Sequence, residues 1–178
     1  MESDLKKLAV RYGYTSTEGL VLTDHKLTPR GKLSVDHDYD AEVCAFSQVD
    51  QLLNKSGLYQ IFTDDGIPLK VGIATKLRAR LRQHAESSQK YLQFKHKGTD
   101  IQPSDVRSNR SILAKHLYFD SSVAPDYKLT TEEGRRNFLQ ADCYLVITYT
   151  QNRAAARELE KLLEAKKFFR YQGKVIRR

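Results

Sequence analysis

The chain has 178 residues, with 30 Lys and Arg against 22 Asp and Glu for a formal net charge of +8, and 40% of its residues are hydrophobic. That length suits one domain, or one domain with an extension. Nine Gly and four Pro exclude a low-complexity chain, and no apolar run is long enough to cross a bilayer. The charge is unevenly shared: residues 1–55 sum to −2, and residues 56–178 carry the whole excess of +10, which points to a polyanionic partner, most commonly nucleic acid.

In chain order, Asp4 to Arg11 is patterned as a short helix. The stretch "TDHKLTPRGKLSVDHDYD" reads as irregular chain or a loose hairpin. In "FSQVDQLLNK" Ser47 is placed to cap a helix, Asp50 falls in its first turn, and Val49, Leu52 and Leu53 share a face. "GLYQIF", the turn residues "DDG" and "PLKVGI" predict a β-hairpin, and "TKLRARLRQHAES" a helix capped by Thr75. Residues 86–105 form a long, basic, polar loop, the kind that in compact domains is often functional. "DVRSNRSILAKHLYF" predicts a helix buried through Ile112, Leu113 and Leu117, and "TTEEGRRNFL" a short helix opened by Thr130 or Thr131. "ADCYLVITYT" is almost continuously apolar and β-branched, as a central strand covered on both faces would be. A helix from about Asn152 to Phe169 and the basic tail "RYQGKVIRR" complete the chain. The two cysteines, Cys44 and Cys143, are too few for a disulfide framework and lack metal-ligand spacing. With no signal-peptide pattern at Met1-Glu2-Ser3-Asp4, a cytoplasmic protein with reduced, buried thiols is expected.

This order implies an α+β fold: a small, mainly antiparallel three-stranded sheet flanked by helices. Residues 1–55 are read as an N-terminal extension and 56–178 as the domain. On the helix after the hairpin, Leu77 and Leu81 mark the inward face. Arg80 and His84, one turn apart, stand together at its edge, Arg78 flanks the other side and Arg82 points away.

The spacing "GLY", twelve residues, the glycine of "KVGI", an arginine eight residues on and a histidine four further resembles the GIY-YIG nuclease superfamily. The first motif stands as Gly57-Leu58-Tyr59 and the second as Lys70-Val71-Gly72. The resemblance covers residues 56–84 and extends loosely to the C terminus. It implies a divalent-cation-dependent endonuclease acting on DNA. Tyr59 would orient or deprotonate the attacking water, Arg80 would grip the phosphate, and His84 would hydrogen-bond Tyr59 or a phosphate. Lys70 replaces the family's second tyrosine, adding charge without a phenol. A glutamate on a later helix would hold Mg²⁺ or Mn²⁺. Glu160, twelve residues before Gln172 where the family places an asparagine, has the matching spacing; Glu158 is the alternative, and helical periodicity does not choose between them. The proline of the family's final motif is missing.

Further nucleic-acid contacts are expected from Arg78 and Arg82, from Lys95, Lys97 and Arg107 around the loop with Tyr91 and Phe94 between them, and from Lys174, Arg177 and Arg178 in the tail. Double-stranded DNA is the expected partner, with a homodimer as one way to cut both strands. Two other readings remain open: a nucleic-acid-binding protein on a nuclease fold that does not cut, and a protein-interaction module docked through the leader.

Overall fold

The computed structural model of the chain describes residues 20–23, 26–29, 32–34, 37–38, 41–107, 111–167 and 169–172. The helix expected at Asp4 to Arg11 and the tail residues Lys174, Arg177 and Arg178 lie outside them. The fold is α+β. Strands β1 (Leu20–Thr23), β2 (Lys26–Pro29), β5 (Ala41–Ala45), β6 (Gly57–Thr63), β7 (Pro68–Ala74) and β10 (Cys143–Tyr149) make one sheet in the order β1-β2-β5-β10-β6-β7. Every neighbouring pair is antiparallel. The three expected strands are contiguous as β10-β6-β7. The leader lengthens the sheet on the far side of β10, where Cys44 lies opposite Leu145 and Val43 opposite Val146. Two small hairpins stand apart: β3 (Lys32–Ser34) with β4 (His37–Asp38), and β8 (Gln93–Phe94) with β9 (Val106–Arg107).

Alternation along the strands sends residues to two cores. On one face Cys44, Tyr59, Ile61, Leu145 and Ile147 meet α1 (Leu77–Glu86), α2 (Ile112–Phe119) and α3 (Glu132–Asp142) through Leu77, Leu81, Leu113, Leu117, Phe138 and Leu139. On the other face Val43, Leu58, Phe62, Val71 and Val146 meet Leu159 and Leu163 of α4 (Arg153–Ala165), together with Phe169. The central strand β10 is thus covered on both sides, as its apolar run requires. Among the described residues no helix is long and apolar enough to cross a membrane.

Several helix starts differ from the local reading, and at α1 groups distant in sequence satisfy the first-turn donors. Residues Phe46–Gln51 form a 3₁₀ helix, not an α-helix; Ser47 does not cap it, and the Ala45 N–H donates instead to Gln48 Oε1 at 2.9 Å. The helix ends at Gln51 and Leu52 is extended, so Leu52 is buried while Leu53 is 52% exposed. Thr75 does not cap α1: Leu77 N–H donates to Lys55 O (2.9 Å) and Ala79 N–H to Asn54 Oδ1 (3.3 Å). The helix expected from Asp105 begins only at Ile112, with Ser111 Oγ accepting from Ala114 N–H, because Val106 and Arg107 are drawn into β9. Ile112 is half-buried, whereas Leu113 and Leu117 are fully buried. Thr131 caps α3 and Asn152 caps α4. Helix α4 stops at Ala165, and Phe169 beyond it packs on Phe62 at 6.1 Å between ring centroids.

Candidate active site

The β6–β7 register places Tyr59 directly opposite Gly72. The tyrosine ring occupies the space a side chain would need there: a Cβ on Gly72 would lie 2.4 Å from the phenol oxygen. Gly57 is constrained in the same way, since a Cβ would lie 2.3 Å from Thr148 O and 2.5 Å from Leu77 Cδ1. Both glycines of the paired motifs are therefore demanded by close packing. From α1, His84 reaches the same phenol, with its Nε2 2.8 Å from Tyr59 Oη.

His84 is fully buried, and burial, reinforced by the charges of Arg80 and Lys70, holds its pKa well below the usual imidazole range. The ring is neutral, and its Nδ1 has no hydrogen-bond partner among the described residues. Burial likewise raises the Tyr59 pKa, outweighing the charge of Arg80 and the hydrogen bond from it. Despite the positive charges of Lys70 and Arg80 nearby, the resting phenol is protonated. Guanidinium can only donate, so the phenol oxygen accepts from Arg80, and its own proton has neutral His84 Nε2 as its acceptor when Nδ1 carries the ring proton.

Strand β7 is an edge of the sheet, and an open groove of about 710 Å³ runs along it. Tyr59, Lys70, Arg80 and Glu160, expected together from the sequence, all line this groove. His84 stands behind Tyr59, not in the lining. Lys70 is 8% exposed, and burial lowers its pKa against the opposing charges of Glu160 and Glu164. Glu160 is also buried, which raises its pKa, while an ion pair with Arg157 opposes that shift.

Other expected positions fall elsewhere. Glu158 is exposed and outside the groove lining, so the fold separates the two glutamates that periodicity could not. Arg78 is half-buried on α1, while Arg82 pairs with Asp50 of the 3₁₀ helix on a different surface. Lys95, Lys97 and Arg107 are exposed on the β8–β9 arm, and Gln172 is exposed; none lines the groove. Two groove arginines were missed, Arg153 and Arg157. Their signal was present: positions 153, 157, 160 and 164 form one stripe on α4, but charged helix positions read by default as solvated.

Among the described residues no three His, Cys, Asp or Glu cluster as a metal site. The donors that do face the groove, Glu160 with Glu164 one turn on, are carboxylates alone. An oxygen-only set this sparse fits Mg²⁺ or Mn²⁺, which keep several waters and complete their shell on substrate phosphate. Comparison with family models, curated proteins and solved structures returned no match to this chain.

Proposed function

We propose that the chain is a divalent-cation-dependent endonuclease that hydrolyses DNA phosphodiester bonds. The observation that carries this reading is convergence: Tyr59 of β6, Lys70 of β7 and Arg80 of α1 line one open groove with Glu160 of α4, which is far from them in sequence. Glu160, with Glu164 beside it, would hold Mg²⁺ or Mn²⁺. When bound, that cation supplies Lewis-acid stabilisation for charge growing on the leaving 3′ oxygen.

The remaining chemistry belongs to the chain. Arg80 binds the non-bridging phosphate oxygens and stabilises the charge they gain in the transition state. Tyr59 takes a proton from the attacking water as it passes its own to His84 Nε2, which is neutral and 2.8 Å away. Lys70 adds positive charge beside the phosphate without a phenol's hydrogen bond. The P–O3′ bond breaks as the P–O bond to water forms, leaving a 5′ phosphate and a 3′ oxygen that takes a proton from solvent to become the 3′ hydroxyl. Double-stranded DNA is the substrate this reading favours, and cutting both strands takes two copies of the chain or two visits. Cys44 and Cys143 are buried and form no disulfide, in keeping with a cytoplasmic setting.

The runner-up is a protein that binds nucleic acid without cutting it, favoured by Lys70 in the tyrosine's place and by Arg157 on Glu160. One experiment separates the two. Supercoiled plasmid is incubated at low salt with Mg²⁺, Mn²⁺ or EDTA, using the wild type, Glu160→Ala and Tyr59→Phe. Cation-dependent nicking that is lost in Glu160→Ala and reduced about 10²- to 10⁴-fold in Tyr59→Phe, with DNA binding retained, is the expected result. A gel shift with no cutting under any condition would move the reading to the binding protein. Full activity in Tyr59→Phe would remove the phenol from the mechanism.

A further inference from the structure

Arg157 and Glu160 are ion-paired one turn apart on α4, and both line the groove. Their exposures differ sharply: the carboxylate side chain is 8% exposed and the guanidinium side chain 54%. Building on the cation-dependent reading above, we propose that Arg157 is a ligand-exchange residue. It neutralises Glu160 while no cation is bound, and it moves to a DNA phosphate when the cation takes the carboxylate.

A carboxylate this deeply set has little access to water and needs a positive partner in the cation-free protein. The charge of Lys70 in the same groove also favours the carboxylate, but the Lys70 side chain makes no hydrogen bond or ion pair among the described residues, and the direct contact to Glu160 is made by Arg157. Guanidinium and a divalent cation compete for the same oxygens, and only one can hold them fully. Arg157 can leave at small cost, because half its side chain is already in solvent and its long stem reaches along the groove. One turn earlier, Arg153 lines the groove with no hydrogen bond or ion pair among the described residues. A released Arg157 would stand beside it, putting two guanidiniums on the α4 side of the groove and Arg80 of α1 on the other.

The test measures Mn²⁺ affinity by calorimetry on the whole protein without DNA, for the wild type, Glu160→Gln, Arg157→Gln and Arg153→Gln. Arg157→Gln should bind Mn²⁺ about 1.5- to five-fold more tightly than wild type, the range of a partly exposed ion pair. Arg153→Gln makes the same change in charge on the same helix, and should shift affinity far less. Equal gains in both variants would mean that only the charge matters and would overturn the proposal, as would no gain in Arg157→Gln. A different failure is also visible. If wild type and Glu160→Gln bind Mn²⁺ alike, Glu160 is not the cation ligand, and the endonuclease reading falls with it.

The second arm reads the salt dependence of binding to a short labelled duplex. With EDTA, Arg157→Gln and wild type should have the same slope of log affinity against log salt, because Arg157 is held by Glu160. With Ca²⁺ replacing the catalytic cation, the variant's slope should be shallower by about one phosphate contact. Equal slopes with Ca²⁺, or the same loss with EDTA, would show that the guanidinium does not change partners.

Discussion

Gly72 is where backbone and chemistry meet most closely. Its neighbour is the buried phenol of Tyr59 and not the end of a flexible chain, so the ring cannot move aside for a methyl group 2.4 Å from its oxygen. Gly72→Ala should cost about 1–3 kcal/mol, read from urea unfolding, and should impair cleavage by displacing Tyr59 from His84. An unchanged midpoint would mean that the strand shifts freely at this position. His84 makes a second prediction, with a definite sign. Its folded pKa lies well below the unfolded value near 6.5, so below that pH the unfolded chain gains a proton that the folded chain does not. Stability should therefore fall as pH drops from 6.5 towards 5, by on the order of 1 kcal/mol per pH unit from this residue alone. In His84→Gln the slope over that window should be shallower by about this amount; an unchanged slope would assign the pH dependence to other groups. Tyr59, Lys70, Arg80 and Glu160 were legible in the sequence because motif spacing names positions independently of burial. Arg153 and Arg157 were not, since nothing local shows that their side of α4 borders an open strand edge.

Between elements, the largest fully buried side chain among the described residues is Arg135 of α3. It donates to Leu129 O (2.9 Å), to Ser87 Oγ (3.1 Å) and Ser87 O (3.0 Å) at the end of α1, and to Gln89 Oε1 (2.8 Å). Glu132 reinforces the joint by accepting from Gln89 N–H at 2.7 Å. One guanidinium therefore fastens α3 to the point where the basic arm departs, and Ser87 takes a left-handed conformation there (φ 45°). Arg135→Ala leaves these carbonyls buried without a donor and should destabilise the fold by about 3–5 kcal/mol. Hydrogen exchange should speed up first at residues 87–92, and a uniform change across the sheet would argue against a local clamp. This joint was invisible in the sequence, where Arg135 looked like any helix charge. The β6–β7 hairpin and β10 were readable because each has a turn signal or a long apolar run. The arm was read as a loop because β8 and β9 have two residues each, too short to show alternation. The leader's strands were obscured because β1 to β4 have only two to four residues each and because β5 pairs with β10, distant in sequence.

Across the whole molecule, the C-terminal segment closes the part of the β7 edge that the groove leaves free. Arg170 N–H donates to Pro68 O and Tyr171 N–H to Leu69 O, both at 2.8 Å, extending the sheet's hydrogen bonding past its edge strand. Asp120, at the end of α2, secures this segment by accepting from Arg170 Nε (2.6 Å), Arg170 Nη2 (2.9 Å), Tyr171 Oη (3.0 Å) and Ser122 Oγ (2.7 Å). Tyr171 in turn stacks on His116 of α2, with ring centroids 4.8 Å apart. Burial acts against the Asp120 carboxylate, but these hydrogen bonds and the Arg170 charge prevail and hold its pKa at about 2. A depressed carboxylate contributes stability above its unfolded pKa and loses it as pH falls through the folded value. Asp120→Asn should therefore cost about 1–2 kcal/mol at neutral pH, discounted because Arg170 is partly exposed. The gap between wild type and variant should narrow from about pH 4 downwards and close near pH 2. Urea unfolding at stepped pH gives that comparison directly. A gap that persists at pH 2 would show that the segment is held by backbone pairing and ring stacking, with Asp120 a bystander. A gap that closes would show that one carboxylate couples the end of α2, the C-terminal segment and the edge strand carrying Lys70 and Gly72, so that loosening it also loosens the wall of the groove.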